Sequence, residues 1–393
     1  MSEILLYAGV LVAIFVGYNI GGATTGPAFG PAVGANVITK VAAAGLMSIF
    51  FFVGAWTIGP AVVDTLGNDL ITDSDIFTLE ANVAVLFFIG GALFIGNYAG
   101  VPASTSMTAV GAIAALGFAT GELNVGVVLE IAIWWVVAPV IGFWVSGVIG
   151  RYFYPQINAW VAIESKRGGE PMLSLDRSGL VPRIAYRDGS GRRQRTGALV
   201  VVAIGCLMAF SSGTSNIANA IAPIYGAGGL DLGPLIVIGS IAVAVGAFTI
   251  ARRTLDTLGN DITNLPLTAA IVVAVVASAI VIFLSLIGIP ASFVVVATMC
   301  IVGLGWGRAT RTTTLSDAAR GEETAVSIGA LTADEEGERP PEIGEESAED
   351  IPKAADLFDP STTARVILMQ NVVPLISTVA AFLTFRFVPL FGF

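Results

Sequence analysis

Ten apolar stretches follow one another along this chain, each close to the length that crosses a lipid bilayer. They cover about residues 4–20, 41–63, 81–98, 103–120, 126–149, 197–212, 234–251, 267–287, 291–308 and 364–390. With 55% hydrophobic and only 12% charged residues, the chain cannot bury these stretches in a soluble domain. The sequence therefore predicts an all-α polytopic protein of the cell membrane, in contact with the lipid bilayer.

The chain contains an internal repeat. Three matches recur in the same order, namely DTLGND at 64–69 and 256–261, GVPAS at 100–104 with GIPAS at 288–292, and NIGGATTGP at 19–27 with NIANAIAP at 216–223. These matches predict two homologous halves, at about 1–150 and 197–390, with about five transmembrane helices each.

An odd number of spans in each half predicts that the second half enters the membrane the opposite way up from the first. Residues 150–196 contain nine lysines and arginines, whereas residues 64–80 contain none. Because basic loops stay in the cytoplasm, both termini are expected outside the cell. Inverted repeats of this kind are typical of secondary transporters, whose substrate binds near the midplane between broken helices.

The chain is predicted to divide at its loops. The parts are a first repeat at 1–150, a basic cytoplasmic loop at 151–196, four spans of the second repeat at 197–308, an acidic cytoplasmic loop at 309–363 and the last span at 364–393. The acidic loop carries the runs ADEEGE and EIGEESAED and is expected to be largely disordered.

Residue usage argues against an enzyme. The chain has no histidine, and both of its cysteines, Cys206 and Cys300, lie in apolar stretches. Nucleophilic schemes that need histidine and HExxH zinc sites are therefore absent. We expect no disulfide, no bound cofactor and no nucleic-acid partner, and the sequence leaves a homodimer open.

Small and polar residues interrupt the apolar pattern at NIGGATTGP and at SSGTSNIANAIAP, residues 211–223. With Pro27 and Pro223, they predict broken or re-entrant helices that line an internal cavity. Amides at helix starts suit an anion. The candidate substrate-binding residues are Asn19, Thr24, Thr25, Ser104, Thr105, Ser106, Ser211, Ser212, Thr214, Ser215, Asn216 and Asn219. Close helix packing is the alternative role for such small residues, and Trp134 and Trp135 are expected to pack or to mark the membrane interface.

The DTLGND copies allow two interpretations. Asp64, Asp69, Asp256 and Asp261 lie at span ends in a Gly-Asn turn, where acidic residues cap and solvate loops. The alternative is an ion site or gate, repeated on the two faces of the membrane.

These motifs, with the PAS segments and the central hydrophilic loop, resemble the inorganic phosphate transporter (PiT) family over nearly the whole chain. Each half of that family carries a signature close to G-x-N-D-x-A-N-A. GTSNIANA matches it at Gly213, Ile217, Ala218, Asn219 and Ala220. The excess of acid and of arginine over lysine also resembles the usage of salt-adapted archaea.

The chain departs from the family signature at its acidic positions. Ser215 and Asn216 stand where the family has Asn-Asp, and in the first half, when Asn19 is aligned with the signature, Ile20 stands for the aspartate and Ala23 for the second asparagine. The resemblance implies a permease that imports phosphate or a similar tetrahedral oxyanion by symport with Na⁺ or H⁺. It leaves the metal site unknown, because Ile20 and Asn216 replace the aspartates that help to bind sodium in the family.

The lost aspartates also bear on the substrate. Monohydrogen phosphate carries a proton that needs an acceptor in a dry site, whereas sulfate is served by donors alone. The NIGGA form of the first motif resembles the sulfate-permease branch of the family. We therefore expect phosphate first, with a sulfate permease as the near alternative and a passive anion channel as a more distant one.

Overall fold

The computed structural model describes residues 2–73, 76–99, 103–161, 171–176, 183–187, 191–228, 230–251, 267–310 and 360–388. The first half contains α1 (Ser2–Gly34), α2 (Lys40–Thr57), α3 (Gly59–Asp64) with a π-helical turn at Thr65–Asp69, α4 (Leu79–Tyr98), α5 (Thr105–Thr120) and α6 (Val125–Tyr152). The second half contains α8 (Arg192–Gly226), α9 (Leu232–Thr249), α10 (Leu267–Leu286), α11 (Phe293–Ala309) and α12 (Pro360–Phe387). Between them lie α7 (Tyr154–Val161) and the antiparallel strands β1 (Leu173–Asp176) and β2 (Arg183–Tyr186).

The long apolar helices confirm a polytopic membrane protein that is nearly all helical. Within the described ranges, seven helices are long and apolar enough to cross a membrane, namely α1, α2, α4, α6, α8, α9 and α10. Helices α5 and α11 are shorter and also apolar. The domain boundaries predicted from the loops remain predictions, and most of the acidic loop, at 311–359, lies outside the described residues.

Several packing contacts between a helix of the first half and a helix of the second half occur twice, in equivalent form. Helix α1 packs on α9 as α2 packs on α8, and α6 packs on α11 as α5 packs on α12. Within the halves, α1 packs on α4 as α8 packs on α10. Each contact thus has a counterpart in which the two halves exchange places, which is consistent with an inverted repeat.

Four glycines allow the closest of these contacts. A Cβ on Gly21, Gly54, Gly213 or Gly246 would lie 2.0–2.1 Å from a backbone carbonyl oxygen of the facing helix. Small residues let transmembrane backbones approach this closely. Gly21 and Gly213 are 192 residues apart, as are Gly54 and Gly246 and the two DTLGND copies, so these contacts fix the register between the halves.

The two ends of the helix bundle differ in charge. We call one the acidic end, which carries Asp64, Asp69, Asp73, Glu80 and Glu122, and the other the basic end, which carries Lys40, Arg151, Arg187, Arg195 and Arg308.

The third and fourth helices of the first half form a hairpin that returns to the acidic end. Helix α4 begins a few residues after Thr72, and the segment that follows α5 pairs with this same region. The Thr72 amide donates to the Glu122 carbonyl (2.9 Å), and the Asn124 amide donates to the Leu70 carbonyl (3.0 Å). Both outer ends of α4 and α5 therefore lie at the acidic end, and their connection is the tip of the hairpin.

The equivalent helices of the second half form a hairpin from the basic end. The Thr268 hydroxyl at the start of α10 donates to the Asn158 side chain of α7 (2.8 Å). At the end of α11, the Thr310 carbonyl accepts a hydrogen bond from Arg151 at the end of α6. The two hairpins thus enter from opposite ends, and their tips are the two PAS segments.

Broken helices were predicted at NIGGATTGP and SSGTSNIANAIAP, and for these two motifs the prediction is wrong. Helix α1 continues through NIGGATTGP with Pro27 and Pro31 inside it, and α8 continues through SSGTSNIANAIAP with Pro223 inside it. A proline removes one backbone hydrogen bond, and helices in membranes tolerate this when their neighbours satisfy the freed groups. The breaks lie at the PAS segments instead, where α5 begins after Ser104 and α11 begins after Ser292.

Candidate functional site

The tips of the two hairpins meet beside the middle of α8. The Ser106 hydroxyl, in the first turn of α5, donates to the Ala291 carbonyl of the second PAS segment (3.0 Å). The Ser215 hydroxyl of α8 donates to the same carbonyl (3.0 Å) and accepts from the Ala291 amide (3.0 Å). Because Ser106, Ser215 and Ala291 are all buried, these bonds join the two halves in the interior of the protein.

Asn216 is the centre of a second group of hydrogen bonds. Its side-chain oxygen accepts from the Thr105 hydroxyl and from the Asn219 amide (3.1 Å). Its own amide donates to the Ser212 hydroxyl (3.0 Å). The Asn219 amide also reaches the Ser106 hydroxyl at 3.5 Å, which links the two groups.

A cavity of about 30 Å³ lies next to these bonds, larger than the roughly 10–15 Å³ that one water needs. Four segments line it, two from each half of the chain. They are the α1 residues Ala23, Thr24, Pro27 and Ala28, the first-tip residues Ala103 and Thr105, the α8 residues Met208, Ser212 and Asn216, and the second-tip residues Ser292, Phe293 and Val294. Along α8 and α1 the cavity extends from Asn216 towards the basic end.

The described part of the lining offers neutral hydrogen-bond donors. Hydroxyls and an amide come from Thr24, Thr105, Ser212, Asn216 and Ser292, and none of the described lining residues is acidic or basic. Among the described residues there is no group of three His, Cys, Asp or Glu side chains that could hold a metal ion.

The start of α11 adds backbone donors. Ser292, its N-cap, makes no capping bond with its side chain, whereas Ser104 caps α5 by accepting from the Met107 amide (3.3 Å). The first amides of a helix have no partner within it and carry its positive dipole end. Because Phe293 and Val294 line the cavity, this helix start suits an anion bound there.

The predicted site residues fall into three groups. Thr24, Thr105, Ser212 and Asn216 line the cavity. Ser104, Ser106, Ser215 and Asn219 make the hydrogen bonds that support it. The structure does not bring Asn19, Thr25, Ser211 and Thr214 to the cavity lining.

Ser211 and Thr214 face α10 instead. The Ser211 hydroxyl donates to the Ser278 carbonyl (3.4 Å), and the Thr214 hydroxyl donates to the Ser285 hydroxyl (3.0 Å). Since α8 is a regular helix here, Ser212 and Asn216 share one face, four residues apart, and Ser211 and Thr214 share another. These two hydroxyls therefore join helices rather than contact the cavity.

Asn19 and Thr25 bond within the first half. The Thr25 hydroxyl donates to the Gly21 carbonyl of its own helix (2.7 Å). Asn19 is buried and accepts two bonds from the Asn97 amide of α4, one at its backbone oxygen (2.9 Å) and one at its side-chain oxygen (3.0 Å). Asn97 was missed by the sequence reasoning, although it is a polar residue in an apolar helix three residues before GVPAS.

The register fixed by the glycine contacts corrects the alignment of the first motif. Gly21 corresponds to Gly213, so Thr24 corresponds to Asn216. Thr24 and Asn216 both line the cavity, which agrees with this register, whereas Ile20 does not line it. Thr24, not Ile20, therefore stands in the first half where Asn216 stands in the second.

The acidic DTLGND residues do not line the cavity. Asp64 and Asp69 are exposed at the acidic end, and the Asp64 carboxylate accepts from the Asn68 side chain at 3.5 Å. Asp256 and Asp261 lie outside the described residues. No carboxylate of the described residues therefore takes the place of the family aspartates in the cavity lining.

Comparison with known proteins decides the family. The model of the phosphate transporter family matches residues 20–333. The chain belongs to the phosphate transporter family. Sulfate permease CysP of Bacillus subtilis (strain 168) is 30% identical to this chain over 302 residues, which are 77% of each protein.

A solved structure shows the same fold. The sodium-dependent phosphate transporter superposes with a TM-score of 0.61 at 17% sequence identity, covering 98% of this chain and 100% of that one. The predicted family resemblance and the transporter architecture are therefore confirmed.

Proposed function

We propose that this protein is a secondary-active permease that imports inorganic phosphate, or a similar tetrahedral oxyanion, with Na⁺ or H⁺ by alternating access. The observation that carries the proposal is the uncharged, donor-lined cavity where the tips of two opposed hairpins meet α8. Its relatives are transporters, and we infer that it performs no covalent chemistry.

The oxyanion is held by neutral donors. The amides at the start of α11 face it together with the hydroxyls of Thr24, Thr105, Ser212 and Ser292. In this structure Thr105 donates to Asn216, so a bound oxyanion competes with the Asn216 oxygen for that hydroxyl. Such donors bind a dianion without a fixed positive charge because the low polarity of the surroundings strengthens each bond.

Sulfate is the second candidate, and one observation favours it. Among the described residues, the cavity lining has no carboxylate to accept the proton of monohydrogen phosphate, and sulfate has no such proton. The similarity to the sulfate permease CysP points the same way. Phosphate keeps the first place because of the family to which the chain belongs.

We place the basic end in the cytoplasm and both termini outside. Lysines and arginines near span ends are retained on the cytoplasmic side of the cell membrane. The cavity, which extends towards the basic end, then faces the cytoplasmic half of the protein. Assembly into a homodimer stays a prediction.

The test is uptake by the purified full-length protein in liposomes. Labelled phosphate and labelled sulfate are supplied in parallel, each with and without imposed Na⁺ and proton gradients, and protein-free liposomes serve as the control. Gradient-driven phosphate uptake supports the proposal, and sulfate uptake alone supports the second candidate. Flux that is independent of any cation gradient indicates a passive channel, and transport of neither anion contradicts the proposal.

A further inference from the structure

The second hairpin tip is held by Trp135 of α6. The indole N–H donates to the Pro290 carbonyl at 2.8 Å, and Pro290 directly precedes Ala291, the residue that Ser106 and Ser215 bind. The tip is therefore fixed from α6 as well as from α5 and α8. Because α11 starts at Phe293, three residues after Pro290, the Trp135 bond also holds the segment that leads into this helix.

Helix α12 is the counterpart of α6. Both helices have 28 residues, and each has one internal proline at the same place, Pro139 in α6 and Pro374 in α12. Four residues before that proline stands Trp135 in the first case and Gln370 in the second. Just as α6 packs on α11, α12 packs on α5, so the counterpart of Trp135 lies beside the first hairpin.

The packing of α12 on α5 places Gln370 level with the first tip. A Cβ on Gly111 of α5 would meet the Thr378 hydroxyl, and further along the same helices Phe118 contacts Phe382, so the two helices run parallel. Two turns before Thr378 lies Gln370, and two turns before Gly111 lies Ser104, the N-cap of α5. Gln370 is therefore beside the first PAS segment.

Gln370 is only 5% exposed, and its buried side-chain nitrogen has no hydrogen-bond partner among the residues that the structure describes. An unpaired buried amide costs folding free energy, so each such group needs an explanation. Trp135, at the equivalent place, has its partner in this structure.

We propose that Gln370 is a positioning residue for the first PAS segment and donates to it in the state of the transport cycle opposite to the one seen here. Inverted repeats alternate access by exchanging the arrangements of their two halves. In this structure Trp135 holds the second tip, and the Gln370 side-chain nitrogen has no partner in the described part of the chain. When the halves exchange arrangements, Gln370 holds the first tip and Trp135 releases the second. The inference rests on the proposed function.

The experiment compares uptake and stability of Gln370→Met with those of Ser377→Ala, a matched control. Ser377 is on the same helix, and its buried hydroxyl also has no partner within the described ranges. Methionine resembles glutamine in size and flexibility and removes only the polar group. Neither change removes a hydrogen bond of this structure, so neither lowers the melting temperature. Gln370→Met lowers the maximal uptake rate about fivefold, roughly the factor that one hydrogen bond contributes to an equilibrium, and Ser377→Ala leaves it unchanged.

A double variant that combines Gln370→Met with Trp135→Phe shows whether Gln370 positions the first tip or has only a structural role. Trp135→Phe weakens the state seen here and Gln370→Met weakens the opposite state, so the double variant restores part of the balance and transports faster than Gln370→Met alone. Equal uptake by Gln370→Met and Ser377→Ala, or simple multiplication of the two losses in the double variant, overturns the inference. A wild-type protein that carries neither anion overturns the proposed function and this inference with it, whereas active wild type with unaffected variants overturns only the inference.

Discussion

Replacing Gly54 with alanine tests the close contact between α2 and α8. The new Cβ would lie 2.1 Å from the Phe210 carbonyl oxygen and 3.1 Å from the Thr214 amide. Contacts below 3.0 Å essentially never occur at real Cβ atoms, so the helices must separate by about 1 Å. Overpacking of this kind costs about 1–3 kcal/mol. Because Asn216 lies two residues beyond Thr214, the same shift displaces the cavity lining, and uptake falls as well.

Gly45→Ala on the same helix is the matched control. Nothing lies within 4 Å of the position that its Cβ would take. Both substitutions gain the helix propensity of alanine, about 1 kcal/mol each, so the difference between the variants isolates the clash. Thermal unfolding in detergent, followed by tryptophan fluorescence at one scan rate, should show a lower midpoint for Gly54→Ala and an equal or higher one for Gly45→Ala. Equal midpoints for the two variants would refute the reasoning.

Three further predictions concern the site and its surroundings. Thr105→Val removes a cavity hydroxyl and should raise the KM for the oxyanion about tenfold or more, as expected for a hydrogen bond to a charged group; an unchanged KM in liposome uptake would exclude the contact. Asp64→Asn with Asp69→Asn should change uptake less than about twofold, because exposed charges outside a site contribute little; complete loss would favour the gate interpretation. Both cysteines are buried and should react with a maleimide, assayed by mass spectrometry, only after unfolding; rapid labelling of the folded protein would contradict their burial.

Hydropathy predicted the helices but not the path of the chain. The predicted spans 81–98 and 126–149 correspond closely to α4 and α6. Apolar length does not show whether a helix crosses the membrane or stops inside the protein. The spans predicted at 103–120 and 291–308 proved to be shorter helices that begin at the hairpin tips, a feature fixed by contacts such as that between Ser106 and Ala291.

The candidate site was predicted in part. The chemistry of the motifs identified Thr24, Thr105, Ser212 and Asn216, which line the cavity. Because the motif was expected to be unwound, its helical period was not used, and the residues of α8 that face α10 could not be separated from those that face the cavity. The predicted alignment of the first motif with the second was also wrong. It rested on a few matching letters at Asn19, which carried less information than the glycine contacts between helices.

Some positioning residues had no usable signal in the sequence. Trp135 stands in an apolar run beside another tryptophan, a pattern typical of packing or of the membrane interface. Its bond to the Pro290 carbonyl depends on how α6 and the second hairpin pack, and that packing brings together residues 155 positions apart. Only the assembled bundle shows such contacts.

The most direct test compares two pairs of polar residues on different faces of α8 by oxyanion uptake in liposomes. Ser212→Ala with Asn216→Ala removes the cavity-facing pair, and Ser211→Ala with Thr214→Val removes the pair that faces α10. If the cavity is the substrate site, the first double variant loses uptake while remaining folded, and the second keeps a wild-type KM. Loss of substrate affinity in the second variant, with normal uptake by the first, would contradict the assignment of the site.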